Sequence, residues 1–366
     1  MSQLHFDWVG SGELPLLAEW DEFVTKSPRG HYCALSTWLR SFEAYGLRTL
    51  VLLARREKGG AVIGGMGCLT FGALGFLGVT APIGPLVNIG DDDAAKPILE
   101  ESIRKARQLG AFLFQAQAPV PEVASLPFLL PCLSDVPMLP GRPFSAGAAP
   151  DQMLWIDFAR VEASEERLWR ERMLGTFNSN TRRNIRRAEK ANLQIEEAVS
   201  EPEVKAGFAL IEENGIEQGY ATRSWGEFGA TLLEQVRLDQ ATILVARSEG
   251  RIVGSHYSVR AGQRCSYLMG GTARLEEDLG IGHALHWSAM VRARNSGLLG
   301  YDLTTSGPPG VLRFKMGFHP DLIKLTPAQH TVLRPLRFRI FDSMYPFARK
   351  HKRTVANMLR GVGMGR

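Results

Sequence analysis

Apolar positions along the chain fall into two series of the same kind. In the first half, Trp38, Leu39 and Phe42 recur at helical spacing within 36–45, and the run 50–55 reads as a buried strand. A turn at Lys58-Gly59-Gly60 leads into apolar strands that continue through Leu86, followed by a helix over 94–109 and a strand over 112–117. In the second half, helices over 201–214 and 225–237 precede a strand at 242–247, a turn at Glu249-Gly250 and strands at 252–260 and 264–270. A helix over 283–294 and a strand over 299–303 complete it. Both halves thus run helix, strand, turn, strand, helix, strand, which predicts a mixed α/β order with one open sheet per half and helices against it.

Two similar domains are therefore expected, 1–150 and 151–333, with a tail at 334–366. The stretch 119–150 holds eight prolines and few charges, so it reads as the extended join between them. The uncharged stretch 61–88 is long enough to span a bilayer, but Gly64, Gly65, Gly67, Gly72, Gly75, Gly78, Gly84, Pro82 and Pro85 break it into short runs. That pattern predicts buried strands and turns rather than one membrane helix.

Composition agrees with this picture: 366 residues, 45% hydrophobic and 22% charged, fit a globular protein of about two domains. The four cysteines are scattered with no Cys-x-x-Cys pair, and no signal peptide opens the polar N-terminus, so a reducing cytoplasm is the expected location. Charge is segregated. From Arg334 onward nine bases face the single acid Asp342, a net +8 that exceeds the +5 of the whole chain. Such a tail points to a polyanionic partner, and its Phe341, Met344, Tyr345 and Phe347 would also suit peripheral contact with an anionic membrane.

A second basic feature is the segment Thr181-Arg182-Arg183-Asn184-Ile185-Arg186-Arg187-Ala188-Glu189-Lys190. Arg182 with Arg186, and Arg183 with Arg187 and Lys190, fall three or four apart, so a helix here carries a broad positive face suited to phosphates. About a hundred residues later come Tyr301-Asp302-Leu303, a Gly/Pro loop, and Phe314-Lys315-Met316-Gly317-Phe318. Two aromatics can anchor that backbone while the glycine permits close approach or a positive φ, leaving the Lys315 ammonium to stabilise a phosphate or an oxyanion. There is no Gly-x-Ser-x-Gly elbow, no Cys/His pairing and no metal signature. Amine attack on an activated carbonyl needs none of these; it needs positioning, a stabilised oxyanion and a route for the proton.

In this order the two segments resemble the FemABX peptidoglycan bridge-forming aminoacyltransferases, which are similar to two fused acetyltransferase-type (GNAT) domains. The resemblance is to compact members without an inserted helical hairpin. It implies transfer of an amino acid from aminoacyl-tRNA, with no further cofactor, to the side-chain amine of a UDP-linked or lipid-linked muramyl stem peptide. It places Lys315 by the aminoacyl-tRNA end, Arg223 on the diphosphate of the precursor and Tyr267 in the substrate channel, with Arg186 and Asp302 as further substrate contacts. In the first domain Trp38 and Arg40 stand where the family has a precursor-binding lysine. Asn88 stands where it has an aspartate, and cannot serve as a general base. Proton loss to water, to substrate or to another group is then expected, and Asp91, Asp92 and Asp93 read as a cluster at a helix start.

His283 and His286 share a predicted helix face and His256 lies on a strand; without a third ligand or an outer shell they read as polar positions and not as zinc ligands. The rival enzyme reading comes from Leu279-Gly280-Ile281-Gly282-His283. In acetyltransferases such a turn opens a helix whose N–H groups cradle the pyrophosphate of acyl-CoA, which makes Gly280 and Gly282 cofactor-binding candidates. Here Glu277 occupies the position where those enzymes carry arginine or glutamine. Acyl-CoA-dependent N-acylation of a polysaccharide or peptide amine is the alternative, and a non-catalytic binding protein the third.

Overall fold

The computed structural model describes residues 4–73, 75–118, 136–145, 147, 149–219 and 222–350. Most of the proline-rich join, Tyr220-Ala221 and the tail beyond 350 lie outside the described residues. Strands β1 (His5–Gly10), β2 (Arg48–Arg55), β3 (Val62–Ala73), β4 (Phe76–Ala81), β5 (Leu86–Val87), β6 (Leu113–Ala116) and β7 (Leu139–Pro140) build a first mixed sheet. A second holds β8 (Gln152–Asp157), β9 (Gln194–Glu197), β10 (Ala241–Ser248), β11 (Arg251–Ala261), β12 (Arg264–Thr272), β13 (Gly300–Asp302) and β14 (Asp321–Lys324), in the order β14-β8-β13-β12-β11-β10-β9. The last strand, β15 (Gln329–Val332), crosses back to pair with β6 and β7 of the first sheet. The division at 150 and 333 read from sequence differs from the sheets at this point, because β15 belongs to the first sheet.

The glycine-rich stretch 61–88 is indeed strand and turn: β3 packs on β2 and β4, and Cβ atoms at Gly65 or Gly72 would stand 2.1 Å from backbone oxygens of neighbouring strands. No described helix is long and apolar enough to cross a membrane. Helices α1 (Leu14–Lys26), α2 (Ser36–Arg40) and α3 (Ala95–Gln108) cover the first sheet; the helix expected over 36–45 relaxes into a 3₁₀ turn at Ser41–Tyr45. Asp91 and Asp93 pair with Arg56, and Asp92 with Arg29, so the acid cluster serves ion pairs. Helices α4 (Glu166–Thr176), α5 (Ser179–Lys190), α6 (Glu201–Gln218), α7 (Trp225–Arg237), α8 (Ile281–Asn295) and α9 (Pro309–Met316) surround the second sheet.

Helix α10 (Pro335–Lys350) lies on the first sheet. Phe341 meets Phe112 at 4.9 Å, and Tyr345 meets Phe144 at 5.7 Å between ring centres. These two aromatics, which the sequence offered as suited to membrane contact, are half-buried against the first domain's core.

A buried polar chain joins the domains. Gln240 donates to the Asp21 carboxylate (3.0 Å) and accepts from Thr37 (2.6 Å), while Gln235 donates to Thr37 and accepts from Tyr257. Replacing Gln240 by leucine takes one hydrogen-bond partner from each of the buried Asp21 and Thr37 of the first domain, which keep only Ser36 and Gln235. The expected cost is about 1–3 kcal/mol, read as a lower denaturant midpoint with an unchanged slope.

Candidate active site

The site forms where two paired strands separate. β12 and β13 run parallel and pair only from Arg264 with Gly300 to Ser266 with Asp302. β12 continues to Thr272, whereas β13 ends and the chain turns through Thr304 at a left-handed φ of 54°. On its other side β12 slips register against β11, so that Tyr257 faces Met269 and Ser258 faces Tyr267; such bulges re-aim side chains beside functional sites. An outer cleft of about 750 Å³ opens at the domain junction, between Tyr32 and Trp38 of the first domain and Arg223, Tyr267 and Lys315 of the second. Tyr267, Gly270, Val311 and Lys315 also line a smaller adjoining pocket of about 170 Å³, the inner pocket, whose wall includes the buried His256 and His286. Among the described residues, none that lines either cavity is a carboxylate.

Lys315 fills the gap between the diverging strands. It sits in the last turn of α9 at 1% exposure, and its ammonium donates to Thr304 O (3.1 Å), Thr304 Oγ1 (3.3 Å) and Ser306 O (2.8 Å). Its Nζ also stands 5.2 Å from the Tyr267 ring centre. Phe314 and Phe318 flank it with rings 5.6 Å apart, as the sequence led one to expect. Gly317 is required for close approach, since its φ is −63° and a Cβ there would stand 2.5 Å from Thr181 Oγ1 on α5. Burial lowers Lys315 to about 8, against the opposing pull of Asp302.

Asp302 lies beneath this gap at 4% exposure and lines neither cavity. Its Oδ1 accepts from the N–H groups of Leu154 (3.2 Å) and Thr304 (2.8 Å), so it shapes the loop that holds Lys315. Burial lifts its carboxyl to about 6, although those N–H groups and the Arg264 and Lys315 charges pull the other way. Both ionised forms coexist between these values. The kcat/KM for the acyl donor is therefore expected to rise through about pH 6, as Asp302 ionises, and to fall through about pH 8, as Lys315 loses its proton. A rate that climbs undiminished well above pH 8 would contradict the role given to the ammonium.

Arg223 is held by an aromatic box built across the domain junction. Its guanidinium carbon stands 5.0 Å from the ring centre of Trp38, 4.4 Å from Phe42, 5.6 Å from Tyr45 and 4.9 Å from Phe228, and Nη1 donates to Ser41 Oγ at 2.6 Å. Burial lowers its pKa from the usual arginine value, and it still lines the outer cleft. Arg40 is placed elsewhere: it pairs with Glu234 of α7 at 2.7 Å and does not line the cleft. Arg186 is exposed on α5 and lines neither cavity. Its neighbours Arg182 and Arg187 are engaged, Arg182 with the Gly175 and Phe177 carbonyls and Arg187 with Asp278, so the broad positive face expected there is partly neutralised. Asn88 lines a separate groove beside α1.

Gly280 caps α8 at a φ of 68°, pressed against the Asn184 carbonyl. Its N–H is already taken by the Asp278 carboxylate at 2.9 Å, and the Phe314 ring stands 3.6 Å from where a Cβ of Gly282 would be. One N–H of this turn is thus already engaged, where a pyrophosphate would need open N–H donors.

The histidines correct the sequence reading. His286 is buried, not a polar position at a helix start, and its Nδ1 stands 2.9 Å from the Tyr301 hydroxyl, which His256 Nε2 meets from the other side at 2.7 Å. Both histidines line the inner pocket. Burial lowers His256 to about 3, His283 to about 4 and His286 well below the usual range. Among the described residues no group of three His, Cys, Asp or Glu could hold a metal ion. One signal was available: α8 is apolar on nearly every face, and a histidine inside such a helix must be buried.

Comparison with known proteins places this geometry. Residues 176–328 match the model of the acetyltransferase (GNAT) domain. No curated protein matches the chain. The solved structure of FemX superposes with a TM-score of 0.73 at 15% identity, covering 89% of this chain and 98% of that one. L-PGS from Bacillus licheniformis gives a TM-score of 0.51 at 14% identity, covering 93% and 96%. The C-terminal DUF2156 domain of a candidate lysylphosphatidylglycerol synthetase from Agrobacterium fabrum gives 0.54 at 14%, covering 90% and 96%. At such identities the likeness is one of fold, and it extends over both sheets: the chain is a tandem-GNAT α/β protein with the FemX fold.

Proposed function

We propose that the chain is an aminoacyltransferase that moves an amino acid from aminoacyl-tRNA to the side-chain amine of a UDP-linked or lipid-linked muramyl stem peptide. The observation that carries this reading is the acid-free cleft at the domain junction, with Arg223 at its outer end and Lys315 at its throat. Its volume suits a ligand larger than a simple amine, and its two cations suit an acceptor that bears phosphate. In the reaction the amine nitrogen bonds to the ester carbonyl carbon, the bond to the tRNA ribose oxygen breaks, and that oxygen leaves with a proton. Lys315 is the cation nearest to where the oxyanion would develop.

The fold likeness to FemX and to a protein named for lysylphosphatidylglycerol synthesis supports transfer of an aminoacyl group. The reading is tested by calorimetric titration of the protein with UDP-muramyl pentapeptide, where saturable binding supports it and none at millimolar ligand opposes it. The GNAT domain match favours a second reading, acyl-CoA-dependent N-acylation of a polysaccharide or peptide amine. The Asp278 carboxylate on the Gly280 N–H weighs against it.

A further inference from the structure

The proposed transfer must take a proton from an amine, and among the described residues neither cavity offers a carboxylate for it. Asn88 is remote from the cleft, and Asp302 is committed to two backbone N–H groups. Lys315 spends its three hydrogens on three oxygens, so it serves the oxyanion through its positive charge and takes no proton.

The inner pocket does offer neutral histidines. One hydroxyl hydrogen can serve only one of the two histidines on Tyr301, so the other must donate its own N–H to the hydroxyl oxygen. The tautomers of His256 and His286 are thereby coupled: whichever ring donates to Tyr301 keeps its second nitrogen as an unprotonated acceptor. His256 Nδ1 is buried with no hydrogen-bond partner among the described residues, which makes it a poor terminus for proton exchange. The role falls to His286. It is packed between Tyr267 (4.4 Å), Phe314 (5.4 Å) and Phe318 (5.5 Å) by ring centres, with Lys315, His256 and His283 as the charged or titratable groups nearby. The Lys315 charge and the apolar rings both keep it neutral.

We infer that His286 Nε2 is the proton acceptor for the incoming amine, held in that tautomer by Tyr301, which is in turn held by His256. This rests on the transfer proposed above. The amine proton passes to His286 Nε2 as the carbon–nitrogen bond forms. The same proton is then given to the ribose oxygen as the carbon–oxygen bond breaks, so the imidazole ends neutral. Tyr301 and His256 are positioning residues: Tyr301 accepts from His286 Nδ1–H and donates to His256 Nε2. This is the logic of a base oriented by a second group and that group by a third.

The test is a double-mutant cycle on His286→Gln and Tyr301→Phe, with kcat, KM and melting measured on the full chain in whichever donor reaction the wild type performs. His286→Gln is expected to lower kcat about 10²–10³-fold, the range of a lost general base. Tyr301→Phe is expected to lower it about tenfold or more with KM nearly unchanged, and the double variant to be no worse than His286→Gln alone. Full kcat in a stably folded Tyr301→Phe protein, or losses that multiply independently, would overturn the inference. Nitrogen-15 NMR of the wild-type imidazoles gives a second readout that needs no turnover. The Nδ1–H tautomer is expected in both rings, His286 donating from Nδ1 to Tyr301 and His256 accepting at Nε2, with both rings neutral at pH 7. The Nε2–H tautomer in either ring, or an imidazolium in either, would sink the relay. An inactive wild type with the expected tautomers would instead count against the aminoacyl-tRNA reading.

Discussion

Replacing Lys315 by methionine is expected to lower kcat/KM for the acyl donor by about 10²–10³-fold, the scale of losing one preorganised oxyanion partner. Methionine fills much the same volume, so the core around Phe314 and Phe318 should survive, while the oxygens left without their donor lower the melting temperature modestly. What disappears is the ammonium on Thr304 O, Thr304 Oγ1 and Ser306 O. The descending limb of the pH profile near 8 should vanish with it. Arginine is not expected to restore activity, because a planar fork cannot serve three oxygens that converge on one point. Wild-type turnover in a well-folded Lys315→Met protein would remove the lysine from the mechanism.

The second large effect is expected at Arg223. Arg223→Ala should raise KM for a phosphate-bearing acceptor with a smaller change in kcat, since the group lies in the outer cleft and not at the throat. A lost charge-assisted hydrogen bond is worth about 1.5–3 kcal/mol, which is about 10–150-fold in affinity at 1.4 kcal/mol per tenfold. Arg223→Lys should recover little, because four rings shape the box around a flat guanidinium. Initial rates against UDP-muramyl peptide concentration separate the two parameters. An unchanged KM in both variants would mean the box serves only to join the domains.

Much of this was legible in the sequence. The helices and strands of both halves follow from periodicity, because each presents one apolar face to a sheet. Lys315, Tyr267 and Arg223 do meet in one cleft, and the two glycines of the α8 turn do sit where the rival reading put them. Long-range facts were not legible. Nothing local to Gln329–Val332 says that it leaves its neighbours to complete the first sheet. Arg40 looks like any substrate-facing arginine until Glu234, nearly two hundred residues away, is seen to pair with it. The Phe341 and Tyr345 side chains of a basic amphipathic helix suit a membrane and a core equally, and only packing decides. His286 and His256 were misread as polar positions because their shared partner is a tyrosine hydroxyl on a strand fifteen residues beyond His286, which no local spacing shows.

The central claim is that the acyl donor is an aminoacyl-tRNA, and it is tested most directly by a radiolabelled transfer assay. Purified protein is incubated with pooled labelled aminoacyl-tRNAs and a UDP-linked muramyl pentapeptide, beside a matched reaction with labelled acetyl-CoA. Label passing from tRNA to the peptide amine, and not from acetyl-CoA, is the predicted result, and it would also identify the amino acid. Label passing only from acetyl-CoA would contradict the account and make the Gly280–Gly282 turn a working cofactor site despite Asp278.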